Sequence, residues 1–379
     1  MIKKQFILGL VLLTALVSNA QNPLWMRYPA ISPDGSQVAF SYKGDIYKVS
    51  INGGKAIRLT THEAFDSNPV WSPQGDLIAF ISDRKGSKDI YVMPSEGGAA
   101  RRLTTHSAAE NLWTFTPDGK HVVFSAPYQD PVKSALFPTS RFSEVYKIPS
   151  EGGRSEMIAA FPADKINFGK SGQKFLYQDV KGFENPWRKH HTSSVTRDIL
   201  EYDIKNGTHT KLIDWEGEDT DPVYSPDGNA LYFLSERSGT FNVYTAPLDN
   251  PSDVKQLTNF QTHPVRFLSV ANNETLCFGY DGEIYTLKQG STNPQKLNIS
   301  ISTDVENEQI KRMSFVSGAT SASNSPDGKQ VAFTVRGEVF VTSSDYSTTK
   351  QITNTVAEEA AVNFGPDNRS LVYSSYRDG

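Results

Sequence analysis

Residues 181–191 read Lys-Gly-Phe-Glu-Asn-Pro-Trp-Arg-Lys-His-His, which gathers Trp187, Arg188, Lys189, His190 and His191 into one short stretch. A guanidinium forks onto a carboxylate through two parallel N–H bonds, and an indole offers a flat face for stacking. Such a set can hold the carboxylate of a peptide. It stands out in a chain of 42 acidic against 38 basic residues. The same composition also suits a surface loop in which Trp187 packs inward and the basic groups are solvated. A second insertion, residues 126–141, is rich in proline and aromatic residues. Long connections of both kinds are often functional.

Other chemistry finds little support. His62, His106 and His263 fall in comparable positions, and His190 and His191 lie in the insertion, but no pair has metal-ligand spacing, so no metal site is expected. No Gly-x-Ser-x-Gly elbow occurs, and no nucleophile can be assembled into a triad, so the chain reads as having no catalytic residue and no cofactor. Asp83 with Arg84, and Glu236 with Arg237, recur at matching offsets, and repetition favours a structural ion pair or turn there. The net charge of −4 argues against a nucleic-acid partner.

These residues must be carried by a repeated scaffold. Ser32-Pro33-Asp34-Gly35 precedes the apolar triplet Val38-Ala39-Phe40, and variants begin at Ser72, Thr116, Gly169, Ser225, Ser269, Ser325 and Gly365. They are spaced roughly 40 to 56 residues apart, a range that marks a repeat architecture. Each period holds four β-type runs: one ending at the turn, the apolar triplet, a run with Ile-Tyr or Val-Tyr, and a run ending in Leu-Thr. Pro presets φ, Asp bonds its own backbone and Gly accepts positive φ, so Pro-Asp-Gly is turn chemistry. Gly53-Gly54, Gly97-Gly98 and Gly152-Gly153 fold the third run onto the fourth. Four antiparallel strands per repeat describe the blade of a β-propeller.

The expected fold is therefore all-β: a six-bladed β-propeller over residues 21–299, a junction over 300–317, and the start of a second propeller over 318–379. That second part amounts to one and a half blades, since the eighth unit stops after its second strand. A half blade leaves an unpaired edge, so the chain reads as truncated. Strand alternation puts the tight Pro-Asp-Gly and Gly-Gly turns on one face. The insertions and the joins between blades share the other face, where function tends to sit.

Lys3 and Lys4, an apolar run over residues 6–17 and Ser18-Asn19-Ala20 form a secretory signal peptide over residues 1–20. No later segment is long and apolar enough to span a bilayer. Cys277 is the only cysteine, so no internal disulfide can form, and its apolar strand suits a small buried hydrophobe.

The Ser-Pro-Asp-Gly turns, the Ser-Asp-Arg-x-Gly-x-x-Asp-Ile-Tyr-Val run from Ser82 and the Glu-Gly-Gly…Leu-Thr run from Glu96 resemble repeats of the TolB propeller, tricorn protease and prolyl-oligopeptidase-type enzymes. Six blades, a junction and a second propeller resemble the N-terminal part of tricorn-type serine peptidases in particular. The resemblance implies a non-catalytic gating or filter propeller that handles peptides or unfolded polypeptide. It places a seven-bladed second propeller, PDZ-like domains and the catalytic Ser and His further along the same chain, and it implies a homo-oligomer. With the leader, it implies periplasmic or cell-surface peptide turnover in a Gram-negative-type bacterium. The competing expectations are a TolB-like peptide- or protein-binding propeller without protease activity, and a prolyl-oligopeptidase-type exopeptidase.

Overall fold

The computed structural model describes residues 23–128, 143–182, 194–302, 317–345 and 347–377. The chain divides into two compact units, Met1–Thr303 and Asp304–Gly379. Every regular element among the described residues is a β-strand.

The repeated turn forms for a local reason. Ser32 Oγ donates to Asp34 Oδ1 at 2.5 Å, and the Gln37 N–H donates to Ser32 Oγ at 2.9 Å. Gly35 follows at φ 75°, a left-handed conformation that glycine adopts without steric cost. Where Gln74 replaces the aspartate, Ser72 Oγ turns to Asp76 instead, at 2.7 Å. The turn delivers the second strand against the third in a register that sets Phe40 opposite Tyr47, Phe80 opposite Tyr91 and Phe124 opposite Tyr146. These rings stack with centroids 5.8, 5.8 and 5.7 Å apart, a cross-strand pairing that adds to simple burial. The Leu-Thr ending ties down the fourth strand. Ile46, Ile90 and Val243 each donate their backbone N–H to the threonine Oγ1 of Thr60, Thr104 and Thr258.

In the first unit this pattern builds six sheets, each with four antiparallel strands in chain order and the first with a fifth strand added. Their first strands are Arg27–Ile31, Asp66–Trp71, Asn111–Phe115, Ala163–Phe168, Asp219–Tyr224 and Val265–Val270. Apolar faces are buried between consecutive sheets, as where Ala39 and Ile46 of the first pack on Ile78 and Phe80 of the second. The cycle closes, because Val38 and Phe40 of the first sheet share a core with Cys277 and Ile284 of the sixth. The unit is a β-propeller. Cys277 is fully buried in that core, and burial pushes its thiol pKa up.

One strand was not expected. Ile299–Ile301 adds to the outer edge of the first sheet, running parallel to Gly54–Arg58. It reaches two residues into the stretch read as a junction. Ile299 sits in the core between the first and sixth sheets, so the alternation Ile-Ser-Ile places one apolar face inward and Ser300 outward.

The matching Arg and Asp offsets prove structural. Arg84 pairs with Asp66 at 2.6 Å and Arg237 with Asp219 at 3.2 Å. Asp83 and Glu236 accept backbone N–H bonds from Phe65 and Glu218, at 2.8 and 3.1 Å. The second unit repeats the theme. A four-stranded sheet begins with Ala319–Asn324, and the hairpin of Glu359–Phe364 with Leu371–Ser375 packs on it through Ala332, Val339 and Val362.

Candidate functional site: the central channel

Trp187, Arg188, Lys189, His190 and His191 lie outside the described residues, as do residues 129–142 of the other insertion. His62 and His106 have local duties. Their Nδ1 atoms each accept a backbone N–H, from Ala64 and Ala108, both at 3.0 Å.

What the described residues do assemble is a channel. The six first strands surround a cavity of about 860 Å³. Its lining changes along its length. Near the Pro-Asp-Gly turns it is walled by residues such as Pro33, Pro73, Pro117 and Pro226, and toward the other mouth by Lys88, Gln178, Arg197 and Glu218.

The middle of the channel is set by a backbone irregularity repeated from strand to strand. Each first strand slips register against its partner at a β-bulge. In five of them a non-glycine residue takes positive φ there: Tyr28, Asn68, Lys165, Asp221 and Phe267, between 50° and 62°. A bulge re-aims a side chain, and all five line the channel. In the third sheet the slip falls at Trp113, which also lines it.

These side chains meet. Lys165 Nζ lies 2.9 Å from Asp221 Oδ1, 6.0 Å from the Trp113 ring centre and 5.9 Å from that of Phe267. Tyr28 and Phe267 touch with centroids 4.6 Å apart. Trp113 is anchored from behind: its Nε1 donates to Ser125 Oγ, which donates in turn to the Ala163 carbonyl at 2.8 Å. Burial alone would lower the Lys165 pKa, yet it is raised, chiefly by the Asp221 carboxylate. The ammonium is therefore held charged, with aromatic faces around it.

One step toward the insertion side, Ser67, Asn111, Asp164 and Thr220 line the cavity. Thr220 Oγ1 donates to Gln178 Oε1, and Arg197 pairs with Glu218 at 2.7 Å. The Asp164 side chain makes no hydrogen bond or ion pair among the described residues, and burial raises its carboxyl pKa against the pull of Arg197 and Lys165.

None of these channel residues was singled out from sequence, where attention fell on the insertions. A signal exists all the same. When the copies are aligned on their turns, the fifth residue before the turn proline, or before Lys170 and Asn272 in its place, reads Tyr28, Asn68, Leu112, Lys165, Asp221 and Phe267. That column varies in charge and size, as does the residue before it, which reads Arg27, Ser67, Asn111, Asp164, Thr220 and Arg266.

The family described as the tricorn protease N-terminal beta propeller domain matches residues 23–293. A tricorn protease homolog of Saccharolobus solfataricus is 24% identical over 324 residues, covering 84% of this chain and 28% of that protein. The tricorn protease of Thermoplasma acidophilum is 25% identical over 207 residues, covering 55% of this chain and 18% of its own length. An uncharacterized protein of Agrobacterium fabrum, Atu1656, is 24% identical over 202 residues, covering 50% of this chain and 61% of its own. The chain thus spans less than two thirds of the length of each of these relatives. Among solved structures, tricorn protease superposes with a TM-score of 0.70 at 19% identity, over 91% of this chain and 33% of that one. That likeness speaks for the fold. With the family match running through every sheet of the first unit, the chain belongs to the tricorn protease N-terminal β-propeller family.

Proposed function

We propose that this chain is the substrate-handling propeller region of an exported tricorn-like serine endopeptidase. In this reading the first unit is a complete six-bladed ring and the second unit opens a further propeller. The catalytic residues then lie in domains beyond Gly379. The observation that carries the reading is the channel, walled by all six sheets, in a chain whose similarity to a tricorn protease homolog covers 84% of it but only 28% of the relative. A channel of this kind suits peptides or unfolded chain, not folded protein. The stretch Trp187–Arg188–Lys189–His190–His191 would take a peptide carboxylate. The leader over residues 1–20 would place this activity in the periplasm or at the cell surface.

Full-length protein provides the test. Hydrolysis of unstructured peptides, blocked by a fluorophosphonate, is the expected result, and alanines at Arg188 and Lys189 should weaken binding of peptides with a free carboxylate while leaving amidated ones unaffected. A gene that ends soon after residue 379, or a full-length protein that binds peptides without cleaving them, overturns the peptidase reading in favour of a TolB-like binding propeller.

A further inference from the structure

The middle of the channel is too crowded to pass a polypeptide. Trp113 and Phe267 come from the third and sixth sheets, which face each other across a ring of six, yet both rings lie within 6.0 Å of the same Lys165 ammonium. Asp221 holds that ammonium in place, and Tyr28 stacks on Phe267 from the first sheet. An extended chain with its side chains needs a lumen about 10 Å across. The space between these rings already holds a lysine head. The channel therefore has a floor, and the part on the insertion side is a chamber that receives the end of a ligand.

The chamber has one carboxylate with no direct side-chain contact among the described residues. Three of its cations have contacts, Lys165 with Asp221, Arg197 with Glu218, and Arg266, while Lys88 lines the outer mouth. Asp164, one residue from Lys165 and half-buried, makes no direct side-chain hydrogen bond or ion pair among the described residues. Lys165 and Arg197 act on its carboxyl only at a distance, so the cost of burying the charge is incompletely compensated, and a ligand cation would offset that cost. The surroundings suit an ammonium, which carries three N–H donors and no acceptor. Besides Asp164, the Ser67 hydroxyl, the Asn111 amide oxygen and the Thr220 hydroxyl line the same level and can accept.

We propose that the chamber binds the ammonium group of a peptide, seated on Asp164 above the floor made by Lys165, Asp221, Tyr28, Trp113 and Phe267. This rests on the peptide-handling reading but not on the presence of a protease. Two sources share the chemistry, the α-amino end and a lysine side chain.

The test uses full-length protein, treated with a fluorophosphonate to stop any hydrolysis, and isothermal titration calorimetry with three probes. These are tetra-alanine amide with a free amino end, its N-acetyl form, and an N-acetyl form with one internal lysine. The free-amino peptide is expected to bind at least tenfold more tightly than the acetylated one. Asp164→Asn should remove that advantage and leave the acetylated peptide unchanged, with Asp164→Ser as a second variant and the melting temperature as the folding check. Recovery of affinity by the internal lysine admits the side chain as a source, whereas no recovery assigns the α-amino end alone. Equal binding of free and acetylated peptides, or unchanged binding in both Asp164 variants, overturns the site. Absence of all peptide binding overturns it too, while hydrolysis measured on untreated protein separately decides the peptidase reading.

Discussion

Replacing Ile299 with alanine tests how the first unit is held closed. Ile299 is 4% exposed and lies among Val49 and Ala56 of the first sheet and Ala271, Cys277 and Leu297 of the sixth. Its strand pairs with Gly54–Arg58, and the Gly54 N–H donates to the Asn298 carbonyl at 2.8 Å. The substitution deletes three carbons from a full core, a loss of roughly 2.5 kcal/mol at about 0.8 kcal/mol per carbon. The unfilled cavity brings the expected cost to about 3 kcal/mol. Ile57 provides the control, because it sits on the adjoining strand but is 60% exposed. Its alanine variant should change stability by no more than about 0.5 kcal/mol. Urea denaturation of the two variants against the parent reads the difference directly. Equal, small losses at both positions would show that the closing strand is not seated on the ring, and the account of closure would fail. Gly53→Ala is a second probe of the same contact. A Cβ there would stand 2.6 Å from the Asn298 carbonyl oxygen, at a φ of 78° that an alanine resists.

Two buried carboxylates give further expectations. Arg237→Ala strands Asp219, which is fully buried and already raised to about 6 by that burial despite the arginine. The expected loss is about 3 kcal/mol at neutral pH, and pairing it with Asp219→Asn should recover most of it; denaturant midpoints without that recovery would rule out charge as the cause. Glu110 is buried beneath Tyr128 and Thr104, and burial raises its carboxyl from 4.5 to about 7. The native state then holds a proton that the unfolded chain has released. Stability is full below about pH 4.5, falls as pH rises through 7, and levels off above, a change on the order of 3 kcal/mol. Melting temperatures between pH 4.5 and 8 should show a shallower decline in Glu110→Gln, and an unaltered slope would remove Glu110 as the cause.

The parts of the fold that were legible in the sequence are those built by neighbours in the chain. Ser32 reaches Asp34, Phe40 meets Tyr47 across one turn, and Ile46 donates to Thr60 within the same sheet. Each involves residues close in sequence, and each recurs, so one reading serves for all copies. The strand at Ile299 was not legible in this way, because its partner Gly54 belongs to the opposite end of the unit and only ring closure brings the two together. The channel was hidden for a different reason. Alternation predicts which side of a strand a residue faces, but a bulge breaks the alternation in the middle of each first strand. Positive φ at Lys165, Asp221 or Phe267 has no residue-type signature comparable to glycine in a turn.

The variation of the lumen column follows from its geometry. Side chains at equivalent positions of a ring converge on one axis, so any residue repeated in every copy would meet itself. Repeated lysines or aspartates would crowd like charges into a small volume and drive one another toward neutrality. Repeated phenylalanines would make a plain hydrophobic plug. An ion pair such as Lys165 with Asp221, flanked by Trp113 and Phe267, requires copies that have diverged around the bulge. The blades can stay alike away from the axis, where Phe-on-Tyr stacks recur in the first, second, third, fifth and sixth sheets and the Arg–Asp pair in the second and fifth. Specific chemistry in a ring of near-identical units can arise only where the units differ, and in this protein that place is the inner strand at its bulge.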